Sequence, residues 1–330
     1  MSVWLQFAVC LALIGVAGVK LTNYADAIAD KTGLGRTWVG VLLLASVTSL
    51  PELATGISSV TAAGVPDIAV GDVLGSCIFN LLILAALDVV YRRASVYRAA
   101  SQGHILSSGF GIILLGVIGM GIILYPEGLN VAWGHVGAYS IVLIVIYVIA
   151  MRTVFRYEAK RVGEFTDQEP DAYPGMSLRQ TVARYLTASV VVAVAGIWLP
   201  FVGEALAHQM GWSETFVGTL FIAFVTSLPE MVVTLAAVRL SALDMAVGNV
   251  LGSNLFNTAI IAVDDIFYTN GPLLADVDPS HAVSALTAVM MTGVAVVGFL
   301  YRPHRIRHVI GWASLTLVGL YLLNLYIQYH

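Results

Sequence analysis

Charged side chains are scarce in this chain: Asp, Glu, Lys and Arg together make up 11% of its 330 residues, against 58% hydrophobic types. That balance, with a mean hydropathy of +0.87, argues against a soluble globular domain. Cysteine is scarcer still. Cys10 and Cys77 both lie in apolar runs, which excludes a disulfide framework and a thiolate metal motif and leaves Cys77 as a small packing residue. Histidine and cysteine form no cluster, so zinc, copper and iron are disfavoured. No glycine-rich loop ends in a P-loop lysine, which argues against an ATP-driven pump. No nucleophile–base–acid set marks an enzyme. No cofactor and no nucleic-acid partner are expected. The first apolar run lacks a basic leader and a small-residue cleavage site, and reads as a retained helix.

What the chain has in abundance is apolar runs of bilayer-spanning length, each needing roughly 20 residues. Ten are legible: 3–25, 37–61, 68–90, 104–124, 130–153, 182–207, 215–238, 243–265, 281–301 and 307–328. All 16 Lys and Arg fall in or beside the connections after odd-numbered runs, including Lys20, Lys31 and Arg36 after the first and Arg302, Arg305 and Arg307 after the ninth. By the positive-inside rule those connections are cytoplasmic and both termini lie outside. The polar stretch 155–181 reads as a cytoplasmic linker between a first half, 1–154, and a second half, 182–330.

The halves repeat each other. Val47-Thr48-Ser49-Leu50-Pro51-Glu52 recurs unchanged 178 residues later as Val225-Thr226-Ser227-Leu228-Pro229-Glu230. Ala69 to Asn80 recurs as Ala246 to Asn257, with nine of twelve positions identical. Five spans per half is an odd number, so the second half enters the membrane in the opposite sense. The expected fold is therefore an all-α polytopic membrane protein of ten transmembrane helices in two inverted five-helix repeats.

Each repeat places a glutamate directly after a proline inside an apolar run. Intramembrane carboxylates are costly and mark ion pathways. Proline should break spans two and seven, freeing carbonyls around Ala45, Thr48, Ala223 and Thr226. Irregular backbone at membrane depth is tolerated where it lines a cavity. Glu52 and Glu230 add carboxylates and Ser49 and Ser227 add hydroxyls, a set of hard oxygens suited to calcium. Ser76 and Asn80 share a helix face, as do Ser253 and Asn257. That face reads as placing the asparagines beside the glutamates and the serines at flanking sodium sites. Gly71, Gly75, Gly248 and Gly252 form small-residue ridges for close helix approach. An ion pair for the glutamates has Lys20 as its nearest partner. Asp72 and Asn249 read as caps near helix starts, and Asp88, Asp264 and Asp265 as interfacial.

The two motifs, T-S-L-P-E and G-x-x-G-S-x-x-x-N in both halves, resemble the alpha-repeats of the cation/calcium antiporter superfamily, in its compact prokaryotic sodium/calcium exchanger branch. The resemblance implies a central calcium site of Glu52, Glu230 and the carbonyls of Thr48 and Thr226. It also implies sodium sites that draw on Ala45, Ser49, Ser76, Ala223, Ser227 and Ser253, with Asn80 and Asn257 at the centre. Spans one and six would slide to switch access in a multi-pass protein of a prokaryotic plasma membrane. Two features depart from the pattern. Valine (Val47, Val225) stands where the family usually has glycine, and both central amides are Asn where one is often Asp. The expectation is then two central ionisable groups, balancing one Ca²⁺ or two Na⁺. Proton/calcium exchange stays open as the alternative, although the G-N-x-x-E pattern of proton-coupled branches is absent; a passive channel is disfavoured by the inverted repeat.

Overall fold

The structure is a computed structural model that describes residues 2–125, 128, 131–164, 173, 175–210, 222–302 and 310–329. Helices account for nearly all of them. Helix α1 (Val3–Thr32) starts on the side chain of Ser2, which accepts from the Leu5 amide, and stops at Gly33 with φ +67°, the left-handed cap that glycine adopts without strain. The next span is interrupted: α2 (Arg36–Val39), a π-helical turn at Gly40–Leu44, α3 (Ala45–Thr48), a break at Ser49, α4 (Leu50–Ser58) and a second π turn at Ser59–Ala63. There follow α5 (Pro66–Val90), the short α6 (Val96–Ala99), α7 (Gly103–Leu124), a two-residue hairpin of β1 (Ala132–Trp133) and β2 (Val136–Gly137), and α8 (Ala138–Glu164). The second half holds α9 (Leu178–Met210), α10 (Ile222–Thr226), α11 (Leu228–Arg239), α12 (Leu243–Phe267), α13 (His281–Tyr301) and α14 (Trp312–Tyr329).

Among the described residues, eight helical stretches are long and apolar enough to cross a membrane. The expected seventh span is represented by α10 and α11, with 211–221 outside the described residues, and the expected tenth by the shorter apolar α14. Helix α8 continues to Glu164 and α9 begins at Leu178, so helix enters both ends of the expected 155–181 linker. Its acidic run at 167–171 lies outside the described residues.

Burial sorts the spans. The apolar windows of α12 and α5 are 89% and 72% buried, whereas that of α1 is 22% buried. Helices α5 and α12 therefore form the centre, packed on one another, and α1 lies at the periphery lengthwise against α9. Gly248 and Gly252 of α12 meet the backbone of Thr37–Val41 so closely that a Cβ on Gly252 would stand 2.5 Å from the Val41 Cα. This is the small-residue approach expected for that ridge. In the first half the same role is not shared by Gly71, which faces the His281 ring.

The central helices are pinned at one end each by a repeat-related aspartate. Asp88 accepts from the amides of Val96 (2.9 Å) and Gly311 (2.8 Å) and the Ser314 hydroxyl (3.1 Å). Asp265 accepts from the amides of Gly137 and Leu273 and the hydroxyls of Tyr139 and Ser140, all within 2.8 Å. Both are fully buried. Both lie near helix ends and apart from the central motifs, where they hold loops onto the helices, because amide and hydroxyl donors supply there what water would otherwise supply.

Candidate ion-binding site

Proline sets the local geometry of the site. Pro51 and Pro229 sit in the first turn of α4 and α11, where a missing amide hydrogen costs nothing. The residues two places upstream, Ser49 (φ −90°, ψ 12°) and Ser227 (φ −82°, ψ 5°), leave helical geometry in the same way in both halves. The break turns the Thr-Ser pairs toward the facing central helix: Thr48 and Ser49 toward α12 and Glu230, Thr226 and Ser227 toward α5.

The contacts are reciprocal between halves. Thr48 Oγ1 lies 3.5 Å from both Asn249 Oδ1 and Ser253 Oγ. Thr226 Oγ1 lies 3.0 Å from Asp72 Oδ1 and 3.4 Å from Ser76 Oγ. Ser49 donates to Glu230 Oε1 (3.1 Å), as does Ser253 (3.5 Å), while Ser227 donates to Ser76 Oγ (3.1 Å). Asn249 Nδ2 donates to Thr234 Oγ1 (2.9 Å) and reaches the Glu230 carbonyl (3.4 Å). The motif side chains Thr48, Ser49, Glu52, Ser76, Asn80, Thr226, Ser227, Glu230, Ser253 and Asn257 are all essentially buried.

The symmetry is broken at the carboxylates. Glu230 has two hydroxyl donors on one oxygen. Both oxygens of Glu52 lack a hydrogen-bond partner among the described residues, as do Glu230 Oε2, Asp72 Oδ2, Asn80 Oδ1 and both polar atoms of Asn257. Burying polar groups this way is costly unless a partner arrives. No three His, Cys, Asp or Glu side chains among the described residues converge as a metal shell. A cation here must complete its coordination with hydroxyl, amide and carbonyl oxygens.

Several expectations change. Asp72 is not a cap. Helix α5 begins at Pro66 after Val65, so Asp72 is fully buried two turns in, on the face of Ser76 and Asn80. Lys20 lies inside α1, exposed, and offers Glu52 and Glu230 no ion pair. The carbonyls of Ala45 and Ala223 are not free. They accept from the amides of Ser49 (3.0 Å) and Ser227 (3.3 Å) and lie 3.3 and 3.1 Å from the hydroxyls of Thr48 and Thr226. They are the weakest members of the expected oxygen set. The sequence reading also passed over Asn254. Its amide donates to the Cys77 carbonyl (3.1 Å) and accepts from Asn80 (3.0 Å), which fixes how Asn80 faces the site. Cys77, its counterpart in the repeat, is buried and free. The signal for Asp72 was present as the i, i+4, i+8 spacing of Asp72, Ser76 and Asn80.

Spans one and six meet the site through repeat-related glycines. Gly196 of α9 packs on the proline that breaks span two, so that a Cβ there would stand 2.6 Å from Pro51 Cγ and 3.7 Å from Pro229 Cγ. On α1 a Cβ at Gly18 would stand 3.0 Å from Val232 Cγ1 of α11.

Comparison with known proteins identifies the family and the fold. The family profile described as sodium/calcium exchanger protein matches residues 2–156 and 182–330. The sodium/calcium exchanger MaX1 of Methanosarcina acetivorans is 26% identical, over 76% of this chain and 80% of its own. The Ca(2+)/H(+) antiporter ChaA of Bacillus subtilis is 24% identical, over 86% and 84%. The solved structure of the sodium-calcium exchanger NCX_Mj soaked with Na⁺ and Ca²⁺ superposes with a TM-score of 0.71 at 20% identity, covering 97% of this chain and 96% of that one. It shows a shared fold.

Proposed function

The chain belongs to the sodium/calcium exchanger protein family, and on that premise we propose that it exchanges Na⁺ for Ca²⁺ by alternating access at a site between Glu52 and Glu230. It is an integral multi-pass membrane protein of the prokaryotic type and of the cation/Ca²⁺ antiporter class. The observation that carries the finer reading is the pair of proline-broken helices, each presenting a buried glutamate and a Thr-Ser pair to the opposite half. The ligand set is Glu52, Glu230, Thr48, Thr226, Ser49, Ser227, Ser76, Ser253, Asn80 and Asn257, with Ala45 and Ala223 at its edge.

The ten-span inverted repeat, with outside termini and a cytoplasmic linker between halves, is part of the same proposal. The duplicated sequence, the reciprocal Thr–Ser contacts and the one-sided basic residues support it. A site that holds either ion but not both couples their movements by competition.

Asp72 changes the charge count. Glu52, Glu230 and Asp72 are three buried carboxylates where two were expected. Three Na⁺ neutralise them; one Ca²⁺ leaves a single negative charge. The proposed stoichiometry is three Na⁺ for one Ca²⁺, with one net charge moved per cycle. Exchange of protons for Ca²⁺ is the second reading. It is favoured by the unpartnered Glu52 carboxylate and by the comparable similarity to a Ca(2+)/H(+) antiporter. Uptake of ⁴⁵Ca²⁺ into proteoliposomes separates the two. Uptake that requires internal Na⁺ at clamped pH supports the first reading, and uptake driven by a pH gradient without Na⁺ replaces it with the second.

A further inference from the structure

Asp264 belongs neither to the ring of hydroxyls nor to the helix-end anchors. It lies on α12 seven residues beyond Asn257 and eleven beyond Ser253, and so on their face of the helix. Its side chain is fully buried, and neither oxygen meets a donor among the described residues. The carboxylate abuts Gly56, one turn beyond Glu52 on α4: a Cβ at Gly56 would collide with both oxygens.

The repeat does not reproduce this contact. The counterpart of Asp264 in the first half is Leu87, and the counterpart of Gly56 in the second is Thr234. The carboxylate and the gap that receives it thus occur together, once. The adjoining Asp265 is accounted for by its four donors; Asp264 holds nothing comparable. Gly56 follows Glu52 by four residues on α4, so the contact itself places Asp264 one turn from the central carboxylate. No three acidic side chains among the described residues close on a single ion, so Asp264 does not complete the central shell. A buried carboxylate with no protein partner, one turn outward from the site, is suited to a cation in transit.

We propose that Asp264 is a hand-off site. Its carboxylate, seated against Gly56, takes a partly dehydrated Ca²⁺ or Na⁺ and passes it between the central site and the membrane face where α4 and α12 end. This rests on the exchanger reading above, whose topology makes that face the outer one.

The test is ⁴⁵Ca²⁺ uptake by right-side-out and everted membrane vesicles containing the full chain, under the gradient that drives the wild type. Asp264→Asn is expected to raise the half-saturating Ca²⁺ concentration about tenfold at one face, by loss of local cation attraction, and not at the other. Gly56→Ala keeps the charge but displaces the carboxylate, and is expected to give the same one-sided shift. It serves if Asp264→Asn fails to accumulate in membranes. A shift confined to the inner face keeps the hand-off and corrects the topology. Equal shifts at both faces, or none in either variant, overturn the proposal. Wild-type vesicles without any gradient-driven uptake sink the exchanger reading and this inference with it.

Discussion

Replacing Asp72 with Asn removes one of three buried charges while keeping nearly the same shape. The charge count then predicts a change in stoichiometry. With three carboxylates, three Na⁺ exchange for one Ca²⁺ and each cycle moves one net charge. A potential of 100 mV acting on one charge is worth about 2.3 kcal/mol, or about 40-fold in an equilibrium ratio at about 1.4 kcal/mol per tenfold. Proteoliposomes preloaded with Na⁺ and clamped at 100 mV, inside positive, should therefore accumulate about 40-fold more ⁴⁵Ca²⁺ at equilibrium than at 0 mV, because positive charge leaves as Ca²⁺ enters. In Asp72→Asn the third Na⁺ loses its counter-charge, exchange becomes two for one, and the equilibrium ratio should ignore the clamp. The equilibrium ratio is the right readout, since a variant that is merely slow reaches the same ratio later. A variant that keeps the full voltage response refutes the count, as does a wild type without one.

Other consequences follow from the same contacts. Glu52→Gln and Glu230→Gln should both abolish exchange and the Ca²⁺-induced rise in Tm, which for the wild type corresponds to about 2.7 kcal/mol at a hundredfold excess over Kd. They should differ without ions: Glu52→Gln removes a partnerless carboxylate and should raise the ion-free Tm, whereas Glu230→Gln replaces the carboxylate that two hydroxyls already serve and should raise it less. Gly196→Val places side-chain atoms against the rigid Pro51 ring; exchange should fall more than about tenfold with Ca²⁺ binding retained by thermal shift, as expected when a conformational step limits turnover. Asp265→Ala leaves two amides and two hydroxyls without their acceptor and should cost about 3 kcal/mol or more, seen as early loss of the folded monodisperse peak on heating.

The candidate site was legible in the sequence because its residues are written twice. A glutamate after a proline in an apolar run, repeated at a fixed offset, is hard to explain by packing, and the helix breaks at Ser49 and Ser227 follow directly from proline's missing donor. Asp72 was misread because the helix start was placed near 68; with α5 beginning at Pro66, the same residue moves from the cap to the interior. Asp264 looked interfacial because hydropathy falls at the end of α12, yet burial there depends on which helix packs opposite, and Gly56 supplies the gap. The expected first span, 3–25, already contains Lys20; α1 runs on to Thr32, which leaves Lys20 well inside the helix and exposed. The carbonyls of Ala45 and Ala223 are engaged because the amides four residues on, Ser49 and Ser227, precede the prolines and still donate to them, with the hydroxyls of Thr48 and Thr226 added.

The central claim is that one site between Glu52 and Glu230 holds either Ca²⁺ or Na⁺. Equilibrium binding of ⁴⁵Ca²⁺ to the purified chain, titrated with Na⁺, tests it most directly. The account predicts one Ca²⁺ displaced completely by Na⁺, with a steepness that approaches three, and no Ca²⁺ binding at that site in the Glu52→Gln, Glu230→Gln double variant. Ca²⁺ that stays bound in saturating Na⁺, or binding that survives in the double variant, would contradict it.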